Sequence, residues 1–257
     1  MNVSTEIIRR ILCAAAFSVA VSSSAAQPEF SEIVIEAGFQ VEQPVLSASF
    51  LGDGGRHIVL AGHDDQHRQR LAVHALDAAA DQPLLSMTPR ASLIAYDVGR
   101  LGERDALFFI EPGRILRYDF TARDFDVVTD IKTIYGQERT GEIAPIDFIR
   151  DVNQDERDDI VVADTAGYRV RLQRTDGSLG EEILLQESSS MTVSGGVVSF
   201  ESRPLVSGDM NFDKLPDLAV WRGDSLRVYP QMPDDRFQGR PDAVPLGLDL
   251  LSEAELR

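Results

Sequence analysis

A twelve-residue pattern that occurs twice constrains the fold of this chain more than any other feature. Residues 151–162 read DVNQDERDDIVV, and residues 209–220 read DMNFDKLPDLAV. Both fit D-x-N-x-D-x-x-x-D-[IL]-x-V, in which acids and an amide alternate and an apolar run follows at once. The apolar, β-branched run predicts a strand, and the polar residues before it predict a loop. Two copies in one chain indicate an internal repeat.

Two fainter copies lie upstream. Residues 96–120 keep the outer acids Asp97 and Asp105, whereas residues 49–76 keep only Asp53 of the polar pattern. The position before each strand is occupied by His57, Asp105, Asp159 and Asp217, at spacings of 48, 54 and 58 residues. A period of this length, with about four strand-like runs in each unit, is typical of a propeller blade.

We therefore predict an all-β fold, a β-propeller of about four visible four-stranded blades over residues 27–250. The units fall roughly at residues 40–90, 91–142, 143–190 and 191–250. A β-sandwich or a solenoid is the alternative. Four units form either a compact ring or the N-terminal part of a larger propeller. Residues 30–39 are a candidate spare strand, and residues 251–257 read as helix-like.

The motif and its strand context resemble the FG-GAP/VCBS repeat family, the blades of integrin-alpha-type propellers, over most of residues 40–235. The resemblance implies a calcium loop between the first and second strands of a blade. One departure is that Glu156 and Lys214 stand where the family usually has glycine. A left-handed conformation costs a non-glycine residue on the order of 1 kcal/mol. Either the turn differs or calcium binds less tightly.

The alternating acids also predict calcium on chemical grounds. Calcium takes six to eight oxygen ligands, and alternate side chains of a tight loop project to one side. In the first loop we predict side-chain ligands from Asp151, Asn153, Asp155 and Asp159, with the backbone carbonyl of Arg157. In the second we predict Asp209, Asn211, Asp213 and Asp217, with the carbonyl of Leu215.

An EF-hand begins with the same spacing but requires a bidentate glutamate at loop position twelve. Val162 and Val220 stand there, inside apolar runs, which excludes the EF-hand. The upstream loops at Asp97 and Asp53 retain too few oxygens for a site. The prediction is two calcium ions with a structural role.

The N-terminus reads as a signal peptide over residues 1–26. Arg9 and Arg10 precede a short apolar run, and Ser24 and Ala26 are placed for cleavage. The chain's one cysteine, Cys13, lies in this segment, so the mature chain would have no disulfide or thiolate ligand. We expect export to the periplasm, the cell surface or the extracellular space. No other apolar run approaches membrane length.

Charge and catalytic motifs narrow the function. A net charge of −17 argues against nucleic acid, whose phosphates require lysine and arginine. Four histidines, all within residues 57–74, give no recognisable triad. We therefore predict a non-catalytic module that binds or scaffolds an unidentified protein or glycan. The alternatives are a calcium-dependent polysaccharide-active enzyme and a structural segment of a longer repeat protein.

Two further motifs have ordinary explanations. Arg222, Gly223 and Asp224 spell a cell-adhesion tripeptide, but Gly-Asp is common in hairpin turns. A second group of residues carries imidazole and carboxylate side chains, which can bind zinc. The favoured interpretation is a solvated hairpin loop without a metal. The members of this group are His63, Asp64, Asp65 and His67.

Overall fold

The structure is a computed structural model that describes residues 33–76, 82–135, 142–187, 190–194, 197–201, 203–223 and 225–245. For residues 190–194 and 197–201 it describes the backbone. The chain divides into Met1–Val34 and Ile35–Arg257, and all described strands lie in the second unit. The predicted signal peptide, residues 30–32 of the candidate spare strand and the predicted helix-like end at 251–257 lie outside the described residues.

The described residues contain strands and no helix, which confirms the all-β prediction. Consequently no helix in this part of the chain is long and apolar enough to cross a membrane. Four sheets of four or five strands follow one another along the chain, and their pairing is antiparallel with one exception. Residues 33–39 form no strand, and pairing begins at Gln40.

The first sheet contains β1 (Gln40–Val41), β2 (Leu46–Ala48), β3 (His57–His63), β4 (Gln69–Ala75) and β5 (Leu85–Met87). The second contains β6 (Ala95–Gly99), β7 (Ala106–Glu111), β8 (Arg114–Asp119), β9 (Asp124–Asp130) and β10 (Ala144–Pro145). Strand β10 is the exception, because it pairs with β6 in parallel. In both sheets the central strands are joined by short turns.

The third sheet contains β11 (Ile149–Arg150), β12 (Asp159–Asp164), β13 (Gly167–Arg171) and β14 (Ile183–Gln186). A separate hairpin follows, made of β15 (Ser190–Ser194) and β16 (Val197–Glu201). The fourth sheet contains β17 (Leu205–Gly208), β18 (Asp217–Arg222), β19 (Ser225–Tyr229) and β20 (Asp242–Pro245). In both sheets the strands pair in chain order.

The sheets pack face to face in succession, because successive side chains of a strand point to opposite faces. In β7, Leu107 and Phe109 enter a core shared with the first sheet, whereas Phe108 and Ile110 enter a core shared with the third. In β12, alternate residues divide in the same way between the second and fourth sheets. Burial on both faces explains why these central strands read as continuous apolar runs.

Candidate calcium loops

The two acidic loops occupy corresponding places. Residues 151–158 connect β11 to β12, and residues 209–216 connect β17 to β18. Each therefore joins the first and second strands of its sheet. The last acid of each pattern, Asp159 or Asp217, is the first residue of the following strand.

The turn that the resemblance made doubtful is formed by non-glycine residues. Glu156 has a φ of 68° and Lys214 a φ of 76°. Two positions earlier, Gln154 and Phe212 have φ angles of 57° and 64°. The sequence left open either a different turn or weaker calcium binding. The structure has the left-handed turn without glycine, so the turn is not different.

The same turn occurs upstream, where the ligand side chains are missing. In the loop that begins at Ser49, the corresponding positions are Gly52 and Gly54, with φ angles of 69° and 84°. In the loop that begins at Asp97, the later position is Gly102, with a φ of 99°. The left-handed residue at the later position is thus common to all four loops, and it does not require a full set of acids. The earlier left-handed position occurs in three of the loops, because Arg100 at that place in the second sheet does not have a positive φ.

The first acid of each loop holds this turn together. Asp151 Oδ1 accepts a hydrogen bond from Asp155 N at 3.2 Å, and its Oδ2 accepts one from Glu156 N at 2.8 Å. Asp209 accepts the equivalent bonds from Asp213 N at 3.1 Å and Lys214 N at 3.0 Å. These bonds leave lone pairs on the carboxylates, so the acids remain able to bind a cation.

The last acid ties the loop to the sheet. Asp159 is fully buried; its Oδ2 accepts from Val152 N at 3.1 Å and its Oδ1 from Gln173 N at 2.8 Å. Asp217 is equally buried and accepts from Met210 N and Gln231 N, both at 3.0 Å. All these residues correspond at an offset of 58 positions.

The pKa of Asp159 is raised to about 7, chiefly by burial, and the nearby charges of Asp155 and Asp151 contribute in the same direction. Its backbone hydrogen bonds from Gln173 and Val152 act in the opposite direction. A divalent cation in the loop would favour the ionised carboxylate. In the first sheet, His57 Nδ1 takes the place of this acid and accepts a hydrogen bond from Phe50 N at 3.3 Å.

The two loops differ at their centres. Asn153 is only 6% exposed, and its Nδ2 donates to Asp155 Oδ2 at 2.8 Å. Within the described part of the chain, Asn153 Oδ1 is buried with no hydrogen-bond partner. Asn211 is exposed, and its Oδ1 accepts a hydrogen bond from Asp213 N at 2.9 Å.

A guanidinium group also distinguishes the first loop. Arg157 Nη2 pairs with Asp155 Oδ2, and Arg157 Nε donates to Gln173 O at 3.3 Å. In the second loop the corresponding residue is Leu215, which carries no charge. From the sequence we predicted that the backbone carbonyls of Arg157 and Leu215 are equivalent calcium ligands. That prediction did not include the ion pair between Arg157 and Asp155.

The two loops contain oxygen atoms of the kinds that bind calcium. Among the described residues, no three His, Cys, Asp or Glu side chains form a group that could hold a metal ion. The loop oxygens are nevertheless of the carboxylate and amide types that calcium prefers, and the buried Asn153 Oδ1 has no hydrogen-bond partner among the described residues. The donor types therefore suit calcium, although the acids are not gathered into such a group.

The remaining sequence candidates are engaged elsewhere. His63 Nδ1 contacts Glu42 Oε2 at 2.7 Å, while Asp64 caps a turn by accepting from Gln66 N and Arg68 N, each at 3.0 Å. These candidate zinc ligands thus lie at the hairpin turn between β3 and β4, as the favoured interpretation of the sequence has it. Arg222 ends β18 and pairs with Glu187, and Asp224 of the tripeptide lies outside the described residues.

Fold and loops together define a class, an all-β protein whose last two sheets each carry an acidic turn before the second strand. No family model matches the chain, and a search of curated proteins finds no match.

Proposed function

We propose that this protein is an exported, calcium-stabilised β-propeller of the FG-GAP/VCBS type. It acts as a non-catalytic module that binds or scaffolds a protein or glycan outside the cytoplasm. The proposal depends most on Asn153, whose buried carboxamide oxygen has no partner among the described residues. An oxygen buried in this way costs about 1–3 kcal/mol unless a donor or a cation satisfies it.

The sheet arrangement supports the propeller part of the proposal. Each of the middle two sheets shares one apolar face with the preceding sheet and the other with the following sheet. Blades of a propeller bury their faces on their neighbours in this manner. Export is proposed from the basic, apolar and small residues of the first 26 positions.

Calcium has a structural role in this proposal. Extracellular calcium modules bind in the range of roughly 0.1–1 mM. At about 1 mM calcium and a dissociation constant of about 0.1 mM, linkage stabilises the fold by about 1.4 kcal/mol per site. The ion would also neutralise the repulsion among three carboxylates in each loop.

Calorimetric titration with calcium tests the proposal. We expect two sites in the wild-type protein and one in each of the Asp155→Ala and Asp213→Ala variants, because each substitution removes a central carboxylate ligand. Asp53→Ala is the matched control, since Asp53 lies in a loop with the same turn and accepts a hydrogen bond there from Gly55 N, at 2.9 Å. Failure of the wild-type protein to bind calcium at millimolar concentration would refute the proposal.

A further inference from the structure

An arginine-lined cleft lies between the third and fourth sheets, away from the acidic loops. It has a volume of about 590 Å³ and is lined by Arg222, Arg227 and Arg240, with Gln186 among its other polar residues. Glu187 is the one acid among the described residues that line it. The cleft is thus a basic site on a chain whose net charge is −17.

Strand register directs two of these arginines toward the third sheet. Arg227 is the cross-strand partner of Val220, and partners in an antiparallel pair point to the same face. Val220 packs in a core with Leu185 of the third sheet. Arg222 follows Val220 by two residues and shares that face.

The equivalent place in the third sheet is electrically balanced. Arg169, which lies 58 positions before Arg227, donates from Nε to Asp164 Oδ2 at 2.6 Å and pairs through Nη1 with Glu182. Asp164 ends β12, as Arg222 ends β18. Glu182 stands one residue before β14, and Arg240 stands two residues before β20. Both acids that neutralise Arg169 are therefore replaced by arginines around Arg227.

This replacement leaves positive charge in the cleft. Within the described part of the chain, Arg227 Nε is buried without a hydrogen-bond partner, and neither Arg227 nor Arg240 forms an ion pair. Arg222 Nη1 pairs with Glu187 Oε1 at 2.7 Å, so three guanidinium groups face one carboxylate. A buried donor without an acceptor is unfavourable, and an oxyanion supplies the acceptor.

We propose that this cleft binds an acidic sugar through its carboxylate or sulfate group. The guanidinium fork matches the planar carboxylate and the oxygens of sulfate in two parallel hydrogen bonds. The cleft volume falls within the range of about 300–1,000 Å³ that is usual for small-molecule sites, and it exceeds what a single inorganic ion requires.

The site is independent of the calcium loops. Strand β12 runs from Asp159, which closes the first acidic loop, to Asp164, next to the turn that borders the cleft. Six residues of strand place the two ends roughly 17 Å apart. Anion binding in buffer that a chelating resin has freed of calcium, with no polycarboxylate left in solution, therefore tests this site whether or not the loops bind calcium.

Calorimetry in that calcium-free buffer with galacturonate, neutral galactose, inorganic sulfate and phosphate tests the proposal. We expect galacturonate to bind at least about tenfold more tightly than galactose. Arg240→Glu places a carboxylate beside Arg227, as Glu182 lies beside Arg169, and should weaken galacturonate binding by about tenfold or more. Arg236→Glu is the control, because it makes the same charge change on an exposed residue paired with Asp234.

The outcomes separate the ligand sources. Binding of sulfate or phosphate as tight as that of galacturonate, and equally sensitive to Arg240→Glu, supports an oxyanion site but overturns the sugar as its occupant. Arg227→Gln provides a second test, with a thermal melt to establish that each variant is folded. The site itself is disproved if no probe binds at millimolar concentration, or if folded Arg240→Glu and Arg227→Gln bind as the wild type does.

Discussion

At the scale of single residues, the acidic loops show that a left-handed turn position usually filled by glycine can be filled by a residue with a side chain. Glu156 and Lys214 take the left-handed conformation that Gly54 takes in the loop before β3 of the first sheet. The conformation costs a side-chain-bearing residue on the order of 1 kcal/mol. The hydrogen bonds from Glu156 N to Asp151 and from Lys214 N to Asp209 offset this cost.

Glycine at these positions should stabilise the protein. We expect Glu156→Gly and Lys214→Gly each to raise the free energy of unfolding by about 0.5–1 kcal/mol, after allowance for the greater freedom of glycine in the unfolded chain. The reverse change, Gly54→Ala, should lower it by about 1 kcal/mol through backbone strain alone, since a Cβ there meets no atom within 4 Å.

Urea denaturation in chelator measures these differences. Glu156→Gln is the matched control, because it removes the charge and keeps the strained backbone, and it should leave stability nearly unchanged. A glycine variant that is less stable than the glutamine variant would contradict the account of strain.

Arg157 should weaken calcium binding in its own loop. Its guanidinium group pairs with Asp155 Oδ2, an oxygen of one of the proposed calcium ligands. Removing one positive charge from the site by Arg157→Leu should tighten binding by about tenfold, and Leu215→Arg should weaken the other loop by a similar factor.

Each loop can be measured alone. Arg157→Leu is titrated in the Asp213→Ala background and Leu215→Arg in the Asp155→Ala background. Equal affinities with and without Arg157 would mean that its side chain leaves Asp155 free when the ion binds.

At the scale of elements, much of the third and fourth sheets follows from local pattern. The runs after Asp159 and Asp217 are apolar on both faces, which is the pattern of central strands. The bond from the backbone N–H of position two to the side chain of position nine occurs in three of the four loops, including the one in which the acceptor is His57. In the loop that begins at Asp97, Asp105 stands at position nine and accepts instead from Ser49 N of the first sheet. Local sequence was therefore sufficient for these strands and loops.

The features that escaped sequence reasoning depend on packing between elements. Arg227 differs from Arg169 only through its neighbours, and those lie on other strands or beyond a long connection. The available signals were that the acids at positions 164 and 182 become arginines at positions 222 and 240, 58 residues further along the chain. No pattern along the chain indicates which guanidinium group loses its partner.

A buried carboxyl group joins the second and third sheets. Asp97 in β6 is 7% exposed; its Oδ2 accepts hydrogen bonds from Phe148 N and Ile149 N, both at 2.8 Å. Burial raises its pKa to about 7, and the charge of Asp147 contributes in the same direction. The three backbone hydrogen bonds that it accepts lower the pKa and only partly oppose burial.

Asp97 should make the protein less stable as the pH rises. Its pKa in the unfolded chain is about 3.9, so between about pH 4 and 7 the folded state holds a proton that the unfolded state has lost. The free energy of unfolding therefore falls across this window, by an amount on the order of a few kcal/mol, and levels off above it.

Comparison with Asp97→Asn isolates this contribution. The amide does not titrate, so the stability advantage of the wild type should shrink between pH 4 and 7. Denaturation in chelator at several pH values measures it and removes any effect of calcium on Asp159. A constant difference across the window would show that Asp97 is already ionised in the folded protein.

At the scale of the whole second unit, the two kinds of loop are unevenly distributed. The full set of acids and the amide occurs in the loops of the third and fourth sheets, whereas the first-sheet loop keeps only Asp53 and the second-sheet loop only the outer acids Asp97 and Asp105. The core of the first and second sheets is built on aromatic residues, including Phe50, Phe109 and Tyr118. Calcium should therefore stabilise one end of the succession of sheets more than the other.

Hydrogen exchange with and without chelator measures this unevenness. If openings are local, removing calcium should speed exchange in β12 and β18 by about tenfold, which corresponds to about 1.4 kcal/mol per site, and leave β3 and β4 unchanged. If the shared cores make the unit open only as a whole, both sites act together and all strands should exchange about a hundredfold faster. Asp155→Ala distinguishes the two cases, because it should abolish the effect of chelator in β12 alone when openings are local. Unchanged exchange in every strand would show that calcium contributes nothing to the fold.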